Sequence, residues 1–124
     1  KENKELLTYL LYEADDEASF IQNIKEEVDE QFSEINTSSY YFIKKSMRKI
    51  LRNIKKHIRY SKNKETEVEL LIYYCSKLNS FSPSITRSTA LINLYQRQLV
   101  SIRKTVSSLH EDLQYDFGLQ IEEL

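Results

Sequence analysis

Residues 40–60 read YYFIKKSMRKILRNIKKHIRY. Apolar residues recur there every three or four positions, which is the period of an amphipathic α-helix. These positions are Ile43, Met47, Ile50, Leu51, Ile54 and Ile58. The segment contains neither glycine nor proline, and Asn36–Ser39 before it is a run of turn and cap residues. The pattern therefore predicts a helix from Tyr40 to about Tyr60 that turns one face toward a protein core.

Glycine and proline are scarce throughout the chain. The 124 residues include one of each, where average usage would give about nine and about six. Because hairpin turns rely on glycine for positive φ, a sheet built from hairpins is not expected. Glycine-rich phosphate-binding loops are excluded for the same reason. The composition predicts an all-α protein with a helix content above about 70%, compared with about one third in average globular proteins.

Four more helical segments surround the one at Tyr40–Tyr60. The length fits one domain, residues 1–124, and we predict a compact bundle of about five helices. The remaining segments are Asn3–Ala14, a second helix ending near Ile35, a fourth beginning near Asn63–Thr66 and a fifth over Thr86–Tyr115. Thr66 and Glu69 have the spacing of a capping box, and Asn79–Thr86, with the only proline, is the predicted loop.

The fifth segment carries the most regular apolar pattern. A heptad runs through Ile92, Tyr95, Leu99, Ile102, Val106, Leu109 and Leu113. Few complementary charges flank it, so the pattern favours a bundle core over a coiled coil. Gly118 is expected to form a left-handed cap after this helix. The predicted core centres on Leu71, Cys75, Leu99, Ile102 and Val106.

A weak internal similarity gives an alternative architecture. Residues Glu5–Tyr9 read ELLTY and residues Glu69–Tyr73 read ELLIY. If the similarity reflects a duplication, the fold would consist of two stacked helical units.

Charge is strongly segregated along the chain. Residues 1–36 hold eleven acidic and three basic side chains, residues 37–64 hold ten basic side chains and no acidic one, and the remainder holds eight acidic and five basic ones. The three balances, −8, +10 and −3, sum to the near-neutral total of −1. A polarised molecule of this kind attracts charged partners.

On a helical wheel the cations of the third segment share one sector of about 140°. We refer to them as the basic face: Lys44, Lys45, Arg48, Lys49, Arg52, Lys55, Lys56 and Arg59. On the second segment, four acidic residues lie away from the apolar side: Glu26, Glu27, Glu30 and Glu34. The two helices could pair by charge, or the basic face could bind an anionic partner. For the second case the candidate binding residues are Lys44, Arg48, Arg52, Lys55 and Arg59.

Residues that could support catalysis are few. Cys75 is the only cysteine and lies within an apolar stripe, where a thiol is inert. His57 and His110 fall on different segments and match no metal-binding spacing. We therefore expect a protein that is not an enzyme and has no cofactor and no metal.

Part of the chain resembles a known family. The residues concerned are Arg48–Ser61, the segment EVELLIYY at Glu67–Tyr74, and Asp116–Gly118. Over about the C-terminal two-thirds, the chain resembles a helical bacterial family of unknown function. It departs from that family in the loop at Asn79–Thr86, which is shorter and richer in serine in this chain. The resemblance implies an all-helical domain and supplies no catalytic residue.

The sequence thus favours a non-enzymatic macromolecular interaction module with a protein partner. The alternative is a nucleic-acid or polyanion-binding domain that uses the helix at 40–60. No apolar stretch is long enough to span a membrane, and the N-terminal residues carry no apolar signal segment, so a cytoplasmic location is expected. The aromatic residues Tyr40, Tyr41 and Phe42 could seal the bundle edge or stack on nucleic-acid bases.

Overall fold

The computed structural model describes residues 17–124, of which 81% are helical. The helices are α1 (Glu17–Ser33), α2 (Tyr40–Ser61), α3 (Lys64–Asn79), α4 (Thr89–Val106) and α5 (Glu111–Glu122). A 3₁₀ turn, Ile85–Arg87, precedes α4, and the loop before it contains a cis peptide bond between Ser82 and Pro83. No strand occurs among the described residues. The predicted all-α bundle is confirmed.

Helix α3 lies at the centre of the bundle, in contact with each of the other four helices. Its apolar residues surround the helix axis, which is typical of a helix covered on all sides. Those that are buried are Val68, Leu70, Leu71, Ile72, Tyr74, Cys75 and Leu78. The predicted burial of Leu71 and Cys75 is therefore confirmed, but burial extends well beyond the predicted stripe.

The start of α3 differs from the predicted capping box. The Asn63 side chain accepts hydrogen bonds from the backbone N–H groups of Glu65 and Thr66, at 2.9 and 3.3 Å. Asn63 is thus the N-cap, and Thr66 is already inside the helix. Thr66 is buried and donates its hydroxyl to the Glu17 carboxylate of α1. The Thr66–Glu69 prediction was wrong because asparagine at position 63 caps the helix earlier.

The predicted fifth helix, Thr86–Tyr115, is two helices. Helix α4 ends at Val106, where the hydroxyls of Ser107 and Ser108 donate to backbone carbonyls of the preceding turn at 2.6 and 2.7 Å. Side-chain bonds of this kind compete with continued helix. His110 then caps α5 by accepting from the Asp112 N–H. Because α5 runs to Glu122, Gly118 lies inside it with ordinary helical geometry, and the predicted left-handed cap was wrong.

The buried face of α4 is rotated from the predicted heptad. Its buried residues are Leu91, Leu94, Gln98, Ile102 and Val106. Ile102 and Val106 agree with the prediction, whereas Leu99 is half-buried and packs on the edge of the core. From Leu94 onward the buried residues follow one another at steps of four, whereas the heptad alternates steps of three and four, so the two stripes coincide only at Ile102 and Val106.

Two sequence predictions lie outside the described residues. The first is the helix at Asn3–Ala14. The second is the Glu5–Tyr9 half of the internal similarity, on which the two-unit architecture depends.

Candidate nucleic-acid interface

The orientation of α2 follows from its apolar stripe. Ile43, Met47 and Ile54 are at most 1% exposed and face α1 and α3. Hydrogen bonds to the rest of the bundle also hold the helix. Tyr74 Oη of α3 donates to the Met47 carbonyl at 2.6 Å, and Tyr40 Oη donates to the Ser84 carbonyl at 2.7 Å. With this stripe fixed inward, the basic face is directed away from the core.

The basic face reaches solvent along the length of α2. Six of its eight cations are exposed, and Lys44 and Lys56 are half-buried. Lys56 has an interaction partner. Within residues 17–124, the seven other side chains form no ion pair and no hydrogen bond. All five candidate binding residues belong to this unpaired group.

The charged side chains of α1 are partnered mainly through α3. Lys25 Nζ lies 2.9 Å from Glu69 Oε2, and Lys77 Nζ lies 3.1 Å from Asp29 Oδ1. Helix α1 reaches α2 through Glu27, whose Oε2 is 3.4 Å from His57 Nε2, and through Glu17, which accepts a hydrogen bond from the Ser61 hydroxyl at 2.9 Å. Among the described residues, the acidic helix therefore does not neutralise the five candidate binding residues.

The aromatic residues of α2 and α3 include both packed and exposed rings. Tyr74 is fully buried, Tyr73 donates to the Asp29 carboxylate, and Tyr40 is half-buried against the loop, so these three seal the bundle. Tyr41 and Phe42 are instead 60% and 44% exposed, and their rings meet edge to face at 5.3 Å. The outward aromatic pair thus stands at the N-terminal end of α2.

Tyr41 also shares a side of α2 with cations. At 100° per residue, positions 41, 45, 48, 52 and 59 fall within one narrow sector. Tyr41 therefore begins a row that continues as Lys45, Arg48, Arg52 and Arg59. This row places an exposed aromatic ring in line with guanidinium and ammonium groups.

A groove of about 410 Å³ extends the basic face toward α4. Arg48, Leu51 and Lys55 of α2 form one wall, and Leu94, Arg97, Gln98 and Ser101 of α4 form the other. The sequence reasoning missed Arg97 because it is distant in sequence from the basic segment. Gln98 could have been noticed from its spacing, since it lies four residues from both Leu94 and Ile102 in a row that is otherwise apolar.

The residues considered for catalysis are separated in the bundle. Cys75 is fully buried, and desolvation raises the pKa of its thiol to about 12. His57 is packed edge-on against Phe20 at 6.1 Å, and His110 serves as the α5 cap. Across the part of the chain that the structure describes, no group of three or more His, Cys, Asp or Glu side chains is arranged to hold a metal ion.

Comparisons of the chain with protein-family models, with curated protein sequences and with solved structures gave no match. The resemblance to a bacterial helical family therefore stays a prediction. Of the helices described here, none is both long and apolar enough to cross a membrane.

Proposed function

We propose that the protein is a non-enzymatic interaction module whose basic face binds single-stranded nucleic acid. The observation that carries the proposal is the set of seven cations on α2 that have no anionic partner in residues 17–124. The sequence pattern alone favours a protein partner over nucleic acid. The unpaired cations of the basic face and the exposed pair Tyr41 and Phe42 favour nucleic acid.

The charge arrangement favours a polyanion over a single small anion. Lys44, Arg48, Arg52 and Lys56 follow one another at i and i+4, where like charges repel by a few tenths of a kcal/mol per pair. From Lys44 to Arg59 the face extends about 22 Å along the helix axis. A chain of phosphates relieves this repulsion along the whole length and releases condensed counterions on binding.

Exposed aromatic rings favour nucleic acid over an acidic protein. Single strands are bound where a cationic surface tracks the backbone and aromatic side chains stack on unpaired bases. Tyr41 and Phe42 provide such rings beside Lys45 and Arg48. In a duplex the bases are already stacked, so the aromatic pair would contribute little to duplex binding.

The test measures binding of a fluorescent single-stranded oligonucleotide of about twelve nucleotides, a length within known site sizes. The triple substitution Arg48→Glu, Arg52→Glu and Arg59→Glu should abolish binding at low salt and leave the melting temperature unchanged or slightly raised. The matched control replaces Arg87, Arg103 and Lys104 with glutamate. It makes the same change in net charge at exposed positions off the basic face and should lower the affinity much less.

Two further measurements distinguish single-stranded nucleic acid from duplex DNA and from an acidic protein as the partner. For the wild-type protein, the logarithm of affinity should fall with the logarithm of salt concentration, by about 0.7 for each phosphate contacted on a single strand. Tyr41→Ala should weaken single-strand binding and leave duplex binding almost unchanged. Absence of oligonucleotide binding at low salt, together with binding of an acidic polypeptide such as polyglutamate, would reject nucleic acid as the partner in favour of protein.

A further inference from the structure

We propose that the groove between α2 and α4 holds one nucleotide of the bound strand, with its phosphate against Arg48, Lys55 and Arg97 and a base or sugar donor on Gln98. The inference rests on the proposed function and adds a specific subsite to it. It also adds residues from a second helix, which the charge pattern of α2 does not reveal.

Three cations surround the groove from two sides. Arg48 and Lys55 project from α2, and Arg97 projects from α4 across the groove. The Arg97 Nε donates to the Asn93 carbonyl at 3.4 Å, and the guanidinium has no carboxylate partner within residues 17–124. Guanidinium and ammonium groups that converge from separate elements suit one phosphate, which accepts several charge-assisted hydrogen bonds.

Gln98 distinguishes this groove from a simple cationic surface. The residue is 6% exposed, and its Oε1 is buried without a hydrogen-bond partner. An unpaired buried amide oxygen is destabilising, and a leucine would complete the apolar row between Leu94 and Ile102. A buried polar group without a partner in the protein needs a partner from outside it, and a ligand in the adjoining groove would supply one.

The missing partner of Oε1 is a hydrogen-bond donor, whereas the surrounding cations require an anion. A nucleotide contains both groups. Its phosphate is anionic, and its base N–H groups or its ribose 2′-hydroxyl can donate. The groove volume of about 410 Å³ lies in the range of small-ligand sites. Inorganic polyphosphate offers the negative charge without the base or sugar donors, which makes it a discriminating probe.

The experiment compares two ligands, a single-stranded oligonucleotide and inorganic polyphosphate, on two variants. Arg97→Gln removes a phosphate contact and should weaken both ligands about tenfold. Gln98→Leu removes the acceptor and should weaken the oligonucleotide about tenfold, leave polyphosphate unchanged and keep or raise the melting temperature. The matched controls are Arg103→Gln and Gln96→Leu, at exposed positions on α4 outside the groove, and both should bind like the wild type.

The outcomes separate this inference from the proposed function. If the wild type binds the oligonucleotide but Arg97→Gln and Gln98→Leu behave like their controls, the groove inference is overturned and the basic face alone binds the strand. If Gln98→Leu weakens both ligands equally, the assigned donor contact is rejected. If the wild type does not bind the oligonucleotide at low salt, the proposed function itself fails, whether or not polyphosphate binds. Arg97→Gln changes an exposed residue, so it keeps the test decisive even if Gln98→Leu impairs folding.

Discussion

Tyr74 donates a 2.6 Å hydrogen bond from its hydroxyl to the backbone carbonyl of Met47, and both residues are fully buried. The bond joins the central helix α3 to the middle of α2. Met47 belongs to the apolar stripe, so this contact helps to fix the rotation of α2 about its own axis. The outward direction of the basic face is therefore a consequence of core packing.

The Tyr74 hydroxyl should contribute measurably to stability and not to binding. Tyr74→Phe should lower the free energy of unfolding by about 1 kcal/mol, because a buried hydrogen bond is lost while the ring still fills its space. Urea denaturation measures the change, and oligonucleotide affinity should stay constant. Tyr95→Phe is the control with a smaller effect, since its half-buried hydroxyl reaches the Leu124 carbonyl at 3.3 Å. Equal stability of Tyr74→Phe and the wild type would argue against this bond.

The rotated face of α4 predicts unequal costs for two aliphatic truncations. Ile102 is fully buried, and Ile102→Ala should cost about 2–5 kcal/mol of unfolding free energy. Leu99 is half-buried, and Leu99→Ala should cost about 1–2 kcal/mol, since part of its surface stays in water in the folded state. Chemical denaturation of both variants checks the order. If Leu99→Ala lost more unfolding free energy than Ile102→Ala, Leu99 would be at the centre of the buried face, as the heptad predicts.

Local patterns predicted most of the fold because the spacing of apolar residues within a helix indicates which of its faces is buried. The apolar stripe of α2 is the clearest case, and all but Ile58 of its six residues are buried. The break between α4 and α5 escaped prediction, because Ser107 and Ser108 end a helix through side-chain bonds without glycine or proline. Local spacing alone could not separate the end of a helix from its continuation there.

The candidate site was only partly accessible from sequence. The basic face follows from helical spacing within a single segment, and so does its separation from the apolar stripe. The groove depends on how α2 and α4 lie across the bundle, and Arg48 and Arg97 are 49 residues apart along the chain. No pattern within either helix reveals that juxtaposition. Gln98 gave a local signal, a polar residue in an apolar row, whose significance depends on the groove beside it.

The pair Tyr73–Asp29 should make stability depend on pH at both ends of the scale. The hydrogen bond from Tyr73 lowers the pKa of Asp29, and Lys77 adds to the effect. The contribution of the Asp29 carboxylate to stability is therefore present above its unfolded pKa of about 4 and is lost as the pH falls through its lower folded pKa. Desolvation and the neighbouring Asp29 raise the pKa of Tyr73 to about 12. Its contribution is therefore present below about pH 10 and is lost as pH rises toward 12.

Tyr73→Phe removes the hydroxyl on which both effects depend. The variant should be less stable at neutral pH by about 1 kcal/mol, and its stability should vary less with pH below 4 and above 10 than that of the wild type. Thermal denaturation across the pH range measures both limbs. Tyr115→Phe, at a residue that is 69% exposed on α5, is the control and should follow the wild-type curve. Identical pH profiles for Tyr73→Phe and the wild type would contradict the assignment.

Gly118 gives a prediction whose sign separates the observed fold from the sequence-based expectation. A left-handed cap would require positive φ, and alanine at such a position is destabilising. Gly118 instead lies inside α5 with no positive φ, and a Cβ atom added there would meet no atom within 4 Å. Alanine is favoured over glycine by about 0.8–1 kcal/mol in a helix interior. Gly118→Ala should therefore stabilise the protein by close to that amount.

Urea denaturation and hydrogen exchange of the α5 amides measure the effect of Gly118→Ala, and slower exchange is expected within α5. Gln120→Ala is the matched control on the same helix. Glutamine and alanine differ little in helix propensity, so its stability should change by only a few tenths of a kcal/mol. Destabilisation by Gly118→Ala would mean that the chain leaves the helical conformation near residue 118. The long fifth helix with a glycine cap would then describe the C-terminal region better than two helices separated by Ser107–His110.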